Sequence, residues 1–183
     1  MSNIPNLQPE SDSSDSEASG ENSLEVNLQI DSDVNCPLSA STCETCIRVA
    51  AAARGFTEGT VGLLICDDSK IQELNARHLQ HDYPTDVISF TYENQVPAIN
   101  GELVVSIDTA RRRASELGWP DANELMLYIV HGVLHISGMQ DKTPQDRAAM
   151  RATERNVMIK LGIDDIDQFH ADKPRTASTK APK

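Results

Sequence analysis

Three side chains able to ligate a metal fall within eleven residues of this sequence: His131, His135 and Asp141, in the run His131-Gly132-Val133-Leu134-His135-Ile136-Ser137-Gly138-Met139-Gln140-Asp141. At 3.6 residues per turn, histidines four apart leave the same face of a helix, one turn above the other. Gly138 stands where such a helix needs a left-handed closing residue, and a glycine there lets the chain turn back so that Asp141 approaches the same ion. Three protein ligands leave one position of a tetrahedral zinc open, which is the arrangement of a catalytic centre rather than a structural one. The same residues are also compatible with two helical histidines and a loop aspartate that hold no ion, because short spacings recur by chance. The added spacing of Gly138 and Asp141 is what weighs toward a metal.

The residue after the first histidine excludes the best-known use of such a pair. Zincin proteases place a glutamate there as general base, giving H-E-x-x-H. Here the position is Gly132. The longer metzincin spacing is otherwise matched, with Asp141 at the third ligand, so the metal geometry is similar and the peptide-cleaving base is missing.

These ligands must be positioned by a domain of ordinary size. The chain has 183 residues, enough for one core. Residues 1–23 carry five acidic side chains, no Lys or Arg and a serine-rich run, so they read as a disordered acidic tail without the basic and apolar regions of a secretory signal. Residues 170–183, with Lys173, Arg175, Lys180 and Lys183 against Asp172, read as a basic flexible tail. Of the net charge of −12, the first tail contributes −5 and the second +3, leaving −10 on residues 24–169. An acidic domain is awkward for a nucleic-acid enzyme, whose phosphate contacts rest on Lys and Arg. A local basic groove can still coexist with an acidic remainder, and its candidates are Arg77 and the run Arg111-Arg112-Arg113. Cys43 and Cys46 form a lone C-x-x-C, and with Cys36 and Cys66 read as reduced thiols. No segment is long and apolar enough to cross a bilayer.

From residue 24 strand and helix signals alternate. Leu24, Val26, Leu28 and Ile30 alternate with polar residues as a half-buried strand. Residues 39–53 read as a helix and 61–66 as a buried strand. Asp68 or Ser69 caps a helix bearing Ile71, Leu74 and Leu79. Pro84 ends it, residues 87–92 are rich in β-formers, and 93–100 look like a loop. Residues 102–107 form another short strand and 108–117 a helix closed by Gly118. A helix apolar nearly all round carries the histidines, and Thr143-Pro144 opens a last helix that Gly162 stops. The order βαβαββααα predicts an α+β domain: a mixed, roughly four-stranded sheet packed on one side by helices, about five in all, with the metal cleft at the end of a central helix.

The run H-G-x-L-H-x-x-G resembles the YbeY family of bacterial single-strand-specific, metal-dependent endoribonucleases, also called ribosomal RNA maturation factors. Leu74-Asn75, then Pro84-Thr85-Asp86-Val87-Ile88-Ser89-Phe90, resemble its L-N…T-D-V-L-S-F segment, and Gly101-Glu102-Leu103-Val104-Val105-Ser106 its G-D-I-V-I-S strand. The resemblance spans roughly residues 24–169. It implies one Zn2+ per chain on His131, His135 and Asp141, and a metal-bound water as nucleophile. It also implies Thr85, Asp86 and Ser89 at the cleft, while Arg77, Arg111 and Arg113 remain candidates for RNA contact on charge alone. The implied substrate is single-stranded RNA, above all the 3′ end of small-subunit ribosomal RNA, in rRNA maturation and ribosome quality control on the small subunit of a cytoplasmic ribosome. No membrane and no DNA partner are expected. Two departures stand out: Asp141 replaces a histidine, which lowers the charge of the metal site by one unit and its Lewis acidity with it, and Leu79 replaces an arginine thought to contact RNA. Two other functions remain open, a ribosome-assembly factor with a structural zinc and a metallopeptidase.

Overall fold

The computed structural model describes residues 23–164 and 166; both tails and the last part of the expected domain lie outside them. The chain folds as β1 (Leu24–Ile30), α1 (Ala40–Ala53), β2 (Glu58–Cys66), α2 (Asp68–Leu79), β3 (Val87–Gln95), β4 (Ala98–Ser106), α3 (Ile107–Leu117), α4 (Asp121–Ile136) and α5 (Pro144–Lys160). The four strands form one sheet in the order β1-β2-β4-β3. β1 and β4 run parallel to β2, and β3 is antiparallel to β4 at the edge. The mixed α+β architecture is the one the sequence predicts.

Local chemistry explains most boundaries. Ser39 accepts a hydrogen bond from the Thr42 amide and caps α1. Thr143 and Asp146 form a reciprocal capping box with Pro144 at the first helical position, so α5 begins where its sequence requires. α2 is capped by Asp67, one residue earlier than the expected Asp68 or Ser69.

Strand alternation divides the sheet between two cores. Leu63, Ile65, Leu103 and Val105 face α1, α4 and α5, while Cys66, Ile88 and Val104 face the other way, against Ile71 of α2. The expected one-sided packing is therefore corrected: α2 covers part of the second face. Cys43 and Cys46 lie on the buried face of α1, where burial pushes both thiols up to about 12, as suits packing residues.

The expected loop at 93–100 is also corrected. β3 continues to Gln95 and β4 starts at Ala98, with Glu93, Asn94 and Gln95 paired to Asn100, Ile99 and Ala98. These residues read as a loop because they belong to an exposed edge hairpin, where a polar strand has no apolar face to show. A register shift between Thr91 and Glu93 places Tyr92 in a bulge.

α4 is the central helix. Leu125, Ile129, Val130, Val133, Leu134 and Ile136 are wholly buried between the sheet, α1 and α5. Close approach to the sheet depends on Gly132: a Cβ there would sit 2.9 Å from Leu103 Cδ2 and 3.0 Å from Val87 Cγ2. The position at which a zincin carries its general base thus points into the sheet, away from any ion held by its neighbour.

Candidate metal centre

His131 and His135 leave α4 one turn apart, and their rings meet edge to face at a centroid distance of 4.4 Å. Their Nε2 atoms are 2.9 Å apart. α4 ends as its glycine demands. Gly138 has φ +94°, its amide donates to the His135 carbonyl, and the Met139 amide donates to the Leu134 carbonyl. That reversal returns Asp141 to the histidines, with Oδ2 3.9 Å from His135 Nε2. One donor atom from each of His131, His135 and Asp141 lies within 4.8 Å of the other two. The three side chains singled out in the sequence are thus brought together.

The other ring nitrogens are held by acceptors. His135 Nδ1 donates to the Met139 carbonyl at 3.0 Å, so the glycine turn also fixes the orientation of that ring. His131 Nδ1 lies 2.6 Å from Oε1 of Glu154, a carboxylate on α5 only 5 % exposed. A carbonyl can only accept, and a carboxylate accepts when ionised, so both neutral rings carry their proton on Nδ1. Two Nε2 lone pairs are then aimed at one another across 2.9 Å, an arrangement that repels unless a proton or a cation lies between them. Nitrogens bound at about 2.0–2.1 Å to a tetrahedral zinc stand roughly 3.3 Å apart, close to this spacing. The donor set therefore fits a divalent cation, with Nδ1 orienters of the kind that metal-bound histidines use.

The electrostatics agree. Burial pulls the His131 pKa down, but the hydrogen bond and charge of Glu154, followed by the charges of Asp86 and Asp141, carry it above the ordinary imidazole value. His135 is pushed below that value by burial and by the adjacent His131, against the Met139 carbonyl, Asp141 and Glu154. Three carboxylates thus focus negative potential on the point where the Nε2 atoms converge.

The remaining expected residues divide. Asp86 leads into β3, whose Val87 and Ser89 meet α4 at Gly132, and its negative charge raises the His131 pKa. Its Oδ1 accepts from Thr85 Oγ1 and from the Val87 amide, both at 2.9 Å. Ser89 Oγ donates to the Gly132 carbonyl at 3.4 Å, joining β3 to the histidine helix. The cationic candidates are paired elsewhere. Arg77 bonds Glu73 at 2.7 Å, Arg111 donates to the Asn35 carbonyl and lies near Asp108 and Asp121, and Arg113 bonds Glu116 at 2.9 Å. None of these pairs includes a residue of the histidine site.

Two contributors escaped the sequence reading. Arg147 Nη1 donates to the carbonyls of Asp141 and Lys142 at 3.2 and 2.9 Å and braces the ligand loop. Glu154 left a signal: it shares the buried face of α5 with Met150, Val157 and Met158, and an acid on such a face needs a buried partner.

Comparison with known proteins bears on the same residues. The endoribonuclease YbeY family model matches residues 26–162. An endoribonuclease YbeY from Rhodopirellula baltica is 52% identical over 117 residues, covering 63% of this chain and 60% of that protein. One from Phocaeicola vulgatus is 38% identical over 117 residues, covering 64% of this chain and 84% of that protein. The chain thus spans less than two thirds of the Rhodopirellula relative. The solution structure of a Thermotoga maritima protein matches with a TM-score of 0.51 at 19% identity, over 82% of this chain and 99% of that one, a likeness of fold. With a matched segment that contains the three ligand candidates, Glu154 and β3, the chain belongs to the endoribonuclease YbeY family.

Proposed function

We propose that this chain is a single-strand-specific, metal-dependent endoribonuclease that matures the 3′ end of small-subunit ribosomal RNA and serves ribosome quality control in the cytoplasm. The observation that carries the reading is the pair of Nε2 atoms 2.9 Å apart with both Nδ1 atoms engaged. His131, His135 and Asp141 would hold one Zn2+. When bound, the cation supplies Lewis acidity toward a phosphate oxygen and lowers the pKa of a water ligand toward neutrality.

The chain's own groups do the rest. Glu154 and the Met139 carbonyl fix the two rings, and Arg147 fixes the loop that delivers Asp141. Thr85 and Ser89 act as positioning residues, since one hydroxyl holds Asp86 and the other holds the backbone of Gly132. Asp86 is the cleft carboxylate available to orient water or a ribose hydroxyl. Unpaired RNA suits a reaction at the sheet edge, because its bases and 2′-hydroxyls are accessible in a way that those of a duplex are not. The relatives' printed name supports the reaction class. A peptidase reading has no support in the geometry, as position 132 faces Leu103 and Val87. No described helix is long and apolar enough to cross a membrane.

The test is cleavage of an unpaired RNA, its duplex counterpart and casein by the metal-loaded chain, before and after chelation. The expected result is cleavage of unpaired RNA alone, lost on chelation and restored by the added ion. Cleavage that persists without metal would overturn the reading.

A further inference from the structure

Beyond the histidine site, the segment joining α2 to β3 carries two exposed rings, His81 and Tyr83. α2 ends at Leu79 with Gln80 as its cap, and the chain runs through His81, Asp82, Tyr83 and Pro84 to Thr85 and Asp86. The His81 imidazole and the Tyr83 phenol stack at 5.4 Å between centroids, with 15° between their planes. Tyr83 is 54 % exposed, among the most exposed large apolar side chains described. Its backbone is anchored all the same. The amide of buried Asn75 donates to the Tyr83 carbonyl at 2.8 Å, and Gln72 Nε2 donates to Asp82 Oδ1 at 2.8 Å.

The location gives the ring a use. Tyr83 is three residues before Asp86, so its Cα lies within about 11 Å of that residue's Cα, and the strand that Asp86 leads into meets the histidine helix, with Val87 Cγ2 beside Gly132 and Ser89 Oγ on the Gly132 carbonyl. At the same helix end Leu79 is 46 % exposed and Arg77 is paired with Glu73. Beside them the stacked rings offer an aromatic face. Unpaired nucleobases stack on such surfaces with little regard to sequence, and a base already stacked in a duplex cannot.

We propose that the His81–Tyr83 stack is a nucleobase platform, which holds one unpaired base of the RNA next to the metal cleft by extending the stack on Tyr83. This rests on the endoribonuclease reading, and the experiment separates the two. Binding of a labelled unpaired RNA oligonucleotide to the full chain is measured by fluorescence anisotropy, and cleavage of the same RNA by the metal-loaded chain is followed in parallel. Tyr83→Ala raises Kd and KM about five- to a hundredfold while kcat holds, and Tyr83→Phe restores both. Tyr92→Ala, which removes a ring 66 % exposed in the β3 bulge, changes neither.

A series of oligonucleotides, each with a single abasic nucleotide, locates the base. At one position, and only there, the abasic site weakens binding to the unaltered chain, and Tyr83→Ala adds no further loss. Tyr83→Ala with the same Kd as Tyr92→Ala, or with an equal penalty on every abasic RNA, overturns the platform and leaves the endoribonuclease reading intact. Tyr83-dependent binding without cleavage overturns that reading and upholds the platform. Absence of both binding and cleavage overturns both.

Discussion

Glu154→Gln is the perturbation that separates a tuned metal site from a pair of incidental histidines. The carboxylate lies 2.6 Å from His131 Nδ1 and is almost wholly removed from solvent, the setting in which a hydrogen bond to a charged group contributes about 1.5–3 kcal/mol. Glutamine keeps the volume and one acceptor oxygen and removes the charge that makes the imidazole a better donor to a cation. Loss of such an orienting partner weakens metal binding about tenfold to a hundredfold, or about 1.4–2.7 kcal/mol. The assay is competition for zinc against a chromogenic chelator, with the fold checked by circular dichroism. The metal-free protein gives a second readout. There the His131 pKa stands above its unfolded value, so its proton contributes stability that is fully present below about pH 6.5 and is lost as pH rises through the folded value. In Glu154→Gln burial is no longer outweighed to the same degree, so the imidazole titrates lower by NMR and that acid-side contribution shrinks. An unchanged zinc affinity together with an unchanged His131 titration would refute the reasoning.

Two further outcomes follow from the same geometry. Proton and cation compete for the facing Nε2 atoms, so the apparent zinc affinity falls by about tenfold per pH unit once pH drops below the raised His131 pKa, measurable by chelator competition from pH 8 to pH 5; a flat profile contradicts the ligand assignment. Gly132→Ala places a methyl group 2.9 Å from Leu103 Cδ2 and 3.0 Å from Val87 Cγ2, and the overpacking costs about 1–3 kcal/mol in urea unfolding; full stability would show that α4 has room to lift from the sheet.

The element order was legible because each segment carries its own period or cap: Thr143-Pro144 for α5, the alternation of β1, the all-round apolar helix that became α4. The grouping of His131, His135 and Asp141 was legible for the same reason, since a helical spacing and a closing glycine are local facts. What could not be read locally was missed. β3 beyond Tyr92 pairs through backbone groups on a polar edge, and no side-chain pattern marks that pairing. Glu154 meets His131 only because α5 packs on α4, 23 residues away in sequence. The arginines were candidates by charge alone, and the folded chain pairs Arg77, Arg111, Arg112 and Arg113 with nearby carboxylates. An acidic domain has many such partners to offer. Asp86 lay between these cases: a turn residue by sequence, and a neighbour of the histidines once the strand is placed against α4.

The most direct measurement of the central claim is a crystal structure of the zinc-loaded protein with anomalous data collected at the zinc edge. The account predicts one strong peak per chain between His131 Nε2, His135 Nε2 and the Asp141 carboxylate, with the remaining coordination position filled by solvent. A peak elsewhere, or a fourth protein atom closing the coordination shell, would contradict it.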